Sequence, residues 1–155
     1  MGPAGSGKTT VGELLASQLG WEFADGDSFH SPANIEKMSR GVPLDDNDRI
    51  PWLDAIREAM EQWSGQRRNV VLACSALKRN YRERVLINSA VRLVYLKGTY
   101  DLLRERLNAR KGHYATEQIL TSQFADLEEP ADAITMDVAR SPEEIVLEIR
   151  TQLTL

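Results

Sequence analysis

The chain has 155 residues, 42% hydrophobic and 27% charged, the size and mix of one globular domain that buries a core without metal or disulfide staples. A net charge of −4 argues against a polyanion such as DNA or RNA as main partner, and the single cysteine, Cys74, excludes an internal disulfide framework and fits a reducing, cytoplasmic compartment. No apolar run approaches the roughly 20 residues that span a bilayer, and no signal peptide precedes the first glycines, so the expectation is one soluble domain over 1–155 with no membrane partner.

The chain opens with Gly2-Pro3-Ala4-Gly5-Ser6-Gly7-Lys8-Thr9, which matches G-x-x-x-x-G-K-[ST] at every fixed position. Glycines let the backbone curl until successive N–H groups face phosphate oxygens, and the following helix offers its N-terminus to the same anion. Lys8 reaches the β- and γ-phosphates, and the Thr9 hydroxyl is a ligand for Mg²⁺. The expected nucleotide set here is Gly2, Pro3, Ala4, Gly5, Ser6, Gly7, Lys8, Thr9 and Thr10. Such a loop hangs from the end of a buried strand, yet only Met1 precedes Gly2, so the first strand of the sheet is expected to lie upstream of this sequence.

Further along, Lys8 to Leu19 reads as a helix with Val11, Leu14, Leu15 and Leu19 on one face. Trp21 to Ala24 is a short strand that runs into Asp25-Gly26-Asp27. Ser31-Pro32 opens a second helix, with Gly41 as its stop. Asp46 to Ser64 is a third, in which Pro51 is tolerated as a first-turn residue. Asn69 to Cys74 and Val91 to Leu96 are apolar runs of the kind expected of strands covered on both faces. Helices over about 99–110 and 116–127, a strand over Ala133 to Asp137, and a capping box at Ser141-Pro142-Glu143-Glu144 that opens a last helix complete the pattern. The alternation predicts an α/β three-layer P-loop fold with a parallel sheet.

Three loops carry more charge than a connection needs: 25–30, 41–49 and 74–82. Strand NVVLAC ends in Cys74-Ser75 rather than in a carboxylate, so Asp25 is the expected partner of the magnesium ion, through water. Taken together, GPAGSGKTTVG, DGDSFH, GVPLDDNDRIPWL, ACSALKRNYR, RKGHY and SQFADLEEP resemble bacterial gluconokinase of the P-loop type, in order and through most of the chain. The phosphate loop alone is generic; PLDDNDRIPWL and CSALKRNYR together are close to diagnostic. The resemblance implies ATP-dependent phosphorylation of D-gluconate to 6-phosphogluconate, a fold like shikimate and adenylate kinases, and a homodimer.

Gluconate is a carboxylate with a row of hydroxyls, so its site needs cations at one end and hydrogen-bonding groups along the chain. Arg49, Lys78 and Arg82 are the candidate cations. Asp27 is the candidate to orient the reacting hydroxyl and take its proton late, with Asp25 the alternative, and His30 is a candidate for a further hydroxyl or the carboxylate. Arg106, Arg110, Lys111 and His113 form a basic cluster around Gly112, read as a lid over about 110–118. Arg110 is the candidate for charge stabilisation in the transition state, Lys111 its rival, and His113 a candidate substrate contact. The adenine is expected near Val138 to Ser141. Other readings of the same loops are a kinase for shikimate or a nucleotide, and a nucleotide-binding switch with no acceptor.

Overall fold

The structure, a computed structural model, describes residues 1–109 and 114–155. Among these, seven helices alternate with four short strands: α1 (Lys8–Leu19), β1 (Glu22–Asp25), α2 (Pro32–Ser39), α3 (Asp46–Gly65), β2 (Val70–Ala73), α4 (Arg79–Val85), β3 (Val94–Lys97), α5 (Tyr100–Ala109), α6 (Tyr114–Asp126), β4 (Ile134–Asp137) and α7 (Pro142–Leu153). A single 3-10 turn, Gly26–Phe29, follows β1. The helix ends obey local chemistry. Ser31 and Ser141 cap α2 and α7 through their hydroxyls with Pro in the first turn, and Asp45 and Asp48 form a reciprocal capping box at the start of α3.

Pro51 sits one turn deeper in α3 than the sequence pattern places it. The helix tolerates it because the carbonyl that loses its donor belongs to exposed Asn47, open to solvent.

β1 pairs with β2 in parallel, Glu22 opposite Val70 through Asp25 opposite Ala73, and β3 pairs with β4 in parallel, Val94 opposite Ile134 through Lys97 opposite Asp137. The expected single sheet is therefore two parallel pairs. Met1 lies between them: its amino group donates to the Val94 carbonyl (2.5 Å) and its carbonyl accepts from Leu96 N–H (2.9 Å), the bonding of a parallel bridge to β3. On the other side Gly2 N–H reaches only the Ser75 carbonyl beyond the end of β2, at 3.3 Å. Below that contact no backbone pairs β2 to β3, and a cavity of about 520 Å³ runs between them, lined by Val71, Ala73, Leu93 and Val94 among others.

Successive residues of β2 point to opposite sides, as strand geometry requires. Val71 packs into a cluster built from α1, α5, α6, α7, β3 and β4 around Leu15, Leu103, Leu120, Val146 and Ile149, whereas Leu72 packs into a second cluster of α3 and α4 around Trp52, Leu53, Ile56, Tyr81 and Val85. These are the two outer layers. The arrangement leaves the C-terminal ends of β1, β2 and β3 and the loops that leave them beside the phosphate loop, the usual ligand edge of an α/β sheet.

Arg82 belongs to this framework. Only 6% exposed, it turns its guanidinium onto the carbonyls of Ala76 (3.1 Å) and Leu77 (2.8 Å), which fixes the loop between β2 and α4. The expected substrate cation at this position is thus spent on backbone, because Ala76 adopts a positive φ of 44° and leaves two carbonyls turned inward that need a donor. Arg82→Met removes both bonds and is expected to cost about 2–3 kcal/mol of stability, read as a lower midpoint in chemical denaturation.

Candidate active site

The phosphate loop is shaped by close approach. Gly2 has φ +150°, and a Cβ there would stand 2.7 Å from the Leu96 carbonyl oxygen and 2.8 Å from Ser6 Oγ. Gly5 and Gly7 take left-handed conformations at φ 78° and 85°, and Gly7 delivers the chain into α1, with Val11 N–H bonded back to the Gly7 carbonyl at 2.9 Å. Lys8 folds back over its own loop and donates to the Pro3 carbonyl at 2.8 Å. Desolvation lowers its ammonium pKa, against the opposing pull of Asp27, Cys74 and Asp25. Thr9 and Thr10 stand exposed in the first turn of α1. The Ala4 N–H is taken by Gln123 Oε1 of α6 at 2.6 Å, a partner that sequence reasoning missed.

At the end of β1 and in the turn after it, Asp25 and Asp27 carry charges that bear on Lys8. Asp25 Oδ1 accepts from Asp27 N–H (2.9 Å) and its carbonyl from Ser28 Oγ (2.7 Å), so Asp25 caps the 3-10 turn and aims it. Asp27 is left with its side chain 76% exposed, 3.9 Å from His30 Nε2. Trp52 fixes both ends of the turn: its Nε1 donates to the Gly26 carbonyl at 2.7 Å, and its ring stacks on His30 with centroids 4.4 Å apart and planes at 13°. Asn34, buried, donates to the Asp48 carbonyl (2.8 Å) and lies 3.4 Å from His30 Nδ1.

The candidate cations Arg49 and Lys78 come together, but neither is free. Arg49 Nη1 donates to Asp126 Oδ2 (2.8 Å) and to Tyr81 Oη (3.1 Å); Lys78 Nζ lies 2.9 Å from Asp46 Oδ1 and 3.6 Å from Asp126 Oδ1. Both sit over the Tyr81 ring at 5.5 Å, and Tyr81 in turn donates its hydroxyl to Asp46. The bond from Tyr81, and then that from Lys78, holds the Asp46 carboxyl below the usual carboxylate range. Asp126 and Tyr81 are the residues sequence reasoning missed here. The signal was present in part, since both stand in runs singled out for family resemblance, ACSALKRNYR and SQFADLEEP.

Arg106 donates to the Val138 carbonyl at 2.6 Å, so this basic residue meets the loop expected to receive adenine. Arg110, Lys111, Gly112 and His113 lie outside the described residues. Burial pushes the Cys74 thiol up to about 11, so at neutral pH it is a packed thiol rather than a nucleophile. No group of three His, Cys, Asp or Glu among the described residues could hold a metal alone. The exposed Thr9 hydroxyl and the Asp25 carboxylate are hard oxygen donors, which suit a magnesium ion brought in by a nucleotide's own phosphates.

Known proteins resemble this chain over nearly its whole length. The family model described as "Shikimate kinase" matches residues 4–154. The probable gluconokinase of Mus musculus is 41% identical over 174 aligned positions, covering 99% of this chain and 95% of that protein. The thermoresistant gluconokinase of Escherichia coli K12 is 43% identical over 153, covering 94% and 86%. Among solved structures, a gluconokinase from Sinorhizobium meliloti 1021 superposes with a TM-score of 0.88 at 42% identity, covering 99% of this chain and 89% of its own.

Desolvation, the largest influence on His30, lowers its pKa below the ordinary 6.5, with Asp27 opposing and Arg49 assisting. The unfolded chain then binds the proton more readily than the folded one, so stability is lost as pH falls through about 6.5 towards the folded value. Denaturation midpoints at pH 7 and pH 5 are expected to differ less in His30→Gln than in the unaltered protein; equal differences would mean that His30 does not carry this dependence.

Proposed function

The chain belongs to the shikimate kinase family, among its gluconokinases, and we propose that it transfers the γ-phosphoryl group of ATP to the C6 hydroxyl of D-gluconate by direct in-line displacement. The observation that supports this reading is Asp27 on a turn capped by Asp25, with its charge bearing on the Lys8 ammonium of the phosphate loop. A hydroxyl held by Asp27 would stand across from phosphate held by the loop.

Lys8 and the amides of the loop and of α1's first turn bind the triphosphate and neutralise charge that develops on the transferring group. To bind it, Lys8 exchanges the Pro3 carbonyl for phosphate oxygen. Thr9 and Asp25 would hold the magnesium ion, Asp25 through water, and the ion when bound supplies charge neutralisation at the phosphates. Asp27 accepts the hydrogen bond of the reacting hydroxyl and takes its proton late in the transfer. His30, kept neutral and locked flat on Trp52, offers one ring nitrogen to a further hydroxyl. Arg49 and Lys78 receive the carboxylate end, and Arg106 borders the adenine through the Val138 carbonyl. Arg110, as the transition-state cation, and His113, as a substrate contact, belong to the same proposal, as do a homodimeric state and a cytoplasmic location. They rest on the family resemblance. No helix among the described residues is long and apolar enough to cross a membrane.

The test is release of ADP from Mg·ATP in the presence of gluconate, with shikimate and AMP as parallel acceptors. Stimulation by gluconate alone is expected; stimulation by AMP or shikimate in its place would overturn the substrate assignment. Asp27→Asn, which keeps the shape and removes the proton acceptor, is expected to lower kcat by about 10²–10⁴-fold with little effect on ATP binding.

A further inference from the structure

Arg49 and Lys78 stand where the acceptor's acid group is expected, yet the charge around them already sums to zero. Two cations face two carboxylates, those of Asp46 and Asp126. Asp126 is the unusual member. It offers one oxygen to each cation, Oδ2 to Arg49 at 2.8 Å and Oδ1 to Lys78 at 3.6 Å, which is how a ligand carboxylate would sit between them. It is also the last residue of α6, where the helix dipole disfavours a negative charge, so the position gains nothing from its own helix. Asp46 differs: in the first turn of α3 the dipole favours it, and the Tyr81 hydroxyl holds it in addition.

The backbone beyond Asp126 is secured independently. Glu128 N–H donates to the Leu77 carbonyl at 3.0 Å, and the Glu128 carboxylate accepts from Arg79 N–H at 2.6 Å. The segment therefore stays docked on the loop before α4 whether or not the Asp126 side chain is engaged. Asp126 is free to leave the cations by side-chain rotation alone, being 24% exposed with solvent beside it.

We propose that Asp126 is an internal stand-in for the acceptor's carboxylate: it occupies the Arg49–Lys78 seat in the free protein and is exchanged for the substrate's acid group on binding. This rests on the reading of the site as a sugar-acid kinase. Exchange makes Asp126 a specificity-determining residue. A sugar acid replaces one carboxylate with another and keeps both cations paired. A neutral polyol or aldose offers no anion, so it must either bind beside Asp126, out of register with Asp27, or leave two half-buried cations with one partner fewer.

The experiment compares gluconate with its neutral analogue D-glucitol in the unaltered protein and in Asp126→Asn, following ADP release. Removing the competing charge is expected to lower the KM for gluconate about fivefold with kcat nearly kept. A KM that rises or stays the same in the variant, with gluconate activity present in the unaltered chain, overturns the exchange and makes Asp126 a fixed support of the cations. Silence of the unaltered chain with gluconate overturns the functional reading itself, and the exchange with it. Should Asp126→Asn not fold, the side-chain carboxylate ¹³C resonance of Asp126 in the unaltered protein decides the matter. It is expected to shift on saturation with gluconate and not with D-glucitol, and an unmoved resonance with gluconate overturns the proposal.

Discussion

The phosphate loop is held because the chain's first two residues are claimed by both halves of the sheet. Met1 bridges to β3 through Val94 and Leu96, and Gly2 bonds across to Ser75 at the end of β2. Only glycine fits at position 2, where any Cβ would stand within 2.8 Å of both the Leu96 carbonyl and Ser6 Oγ. The constraint recurs one loop away, where a Cβ on Gly26 would meet the Ala73 carbonyl at 2.8 Å. The first approach seats the phosphate loop on β3, the second seats the Asp25–His30 turn on the end of β2, and the Gly2–Ser75 bond joins the two. With either glycine replaced, backbone would have to separate, and Asp27 would no longer face Lys8.

A chain of net charge −4 builds an anion-binding edge by local pairing rather than by overall charge. The run Asp45-Asp46-Asn47-Asp48-Arg49 shows how few residues this takes. Asp45 caps α3; Asp48 returns the bond and also holds Lys37 at 2.7 Å; Asp46 takes Lys78; Arg49 reaches across to α6. One acidic run thus starts a helix with charges its dipole favours and also pairs Lys78 and sends Arg49 to α6.

Where the chemistry is local, the sequence is legible. The phosphate loop, the caps at Ser31 and Ser141 and the strand runs before Cys74 and Leu96 appear in the structure within a few residues of their expected places. What stayed hidden depends on pairs far apart in the chain. Arg82 looks like one more cation of a basic run, and only the inward-turned carbonyls of Ala76 and Leu77 reveal its task. Gln123 and Asp126 lie on a helix whose visible pattern is its apolar face, and nothing in that periodicity says that Ala4 or Arg49 waits opposite. The gap between β2 and β3, in contrast, was legible: only Met1 precedes the phosphate loop, and Met1 alone bridges to β3 where a full strand was expected.

Both of those α6 side chains do the same thing in different places. Gln123 gives an oxygen to a phosphate-loop amide, and Asp126, one turn later, gives oxygens to the acceptor cations. Lys8 likewise rests on the Pro3 carbonyl. Donors arranged for ligands would otherwise be partly buried and unpaired, at a cost of about 1–3 kcal/mol each. Internal oxygens relieve that cost in the free protein; with each ligand oxygen replacing one of them, as we propose for Asp126, binding would be an exchange of near equals rather than a gain of new bonds. Such exchange would hold down affinity for both substrates. The stabilisation that remains uncompensated is the part made only as charge moves onto the transferring phosphoryl group, which no protein oxygen can imitate, and that is the part that accelerates the reaction.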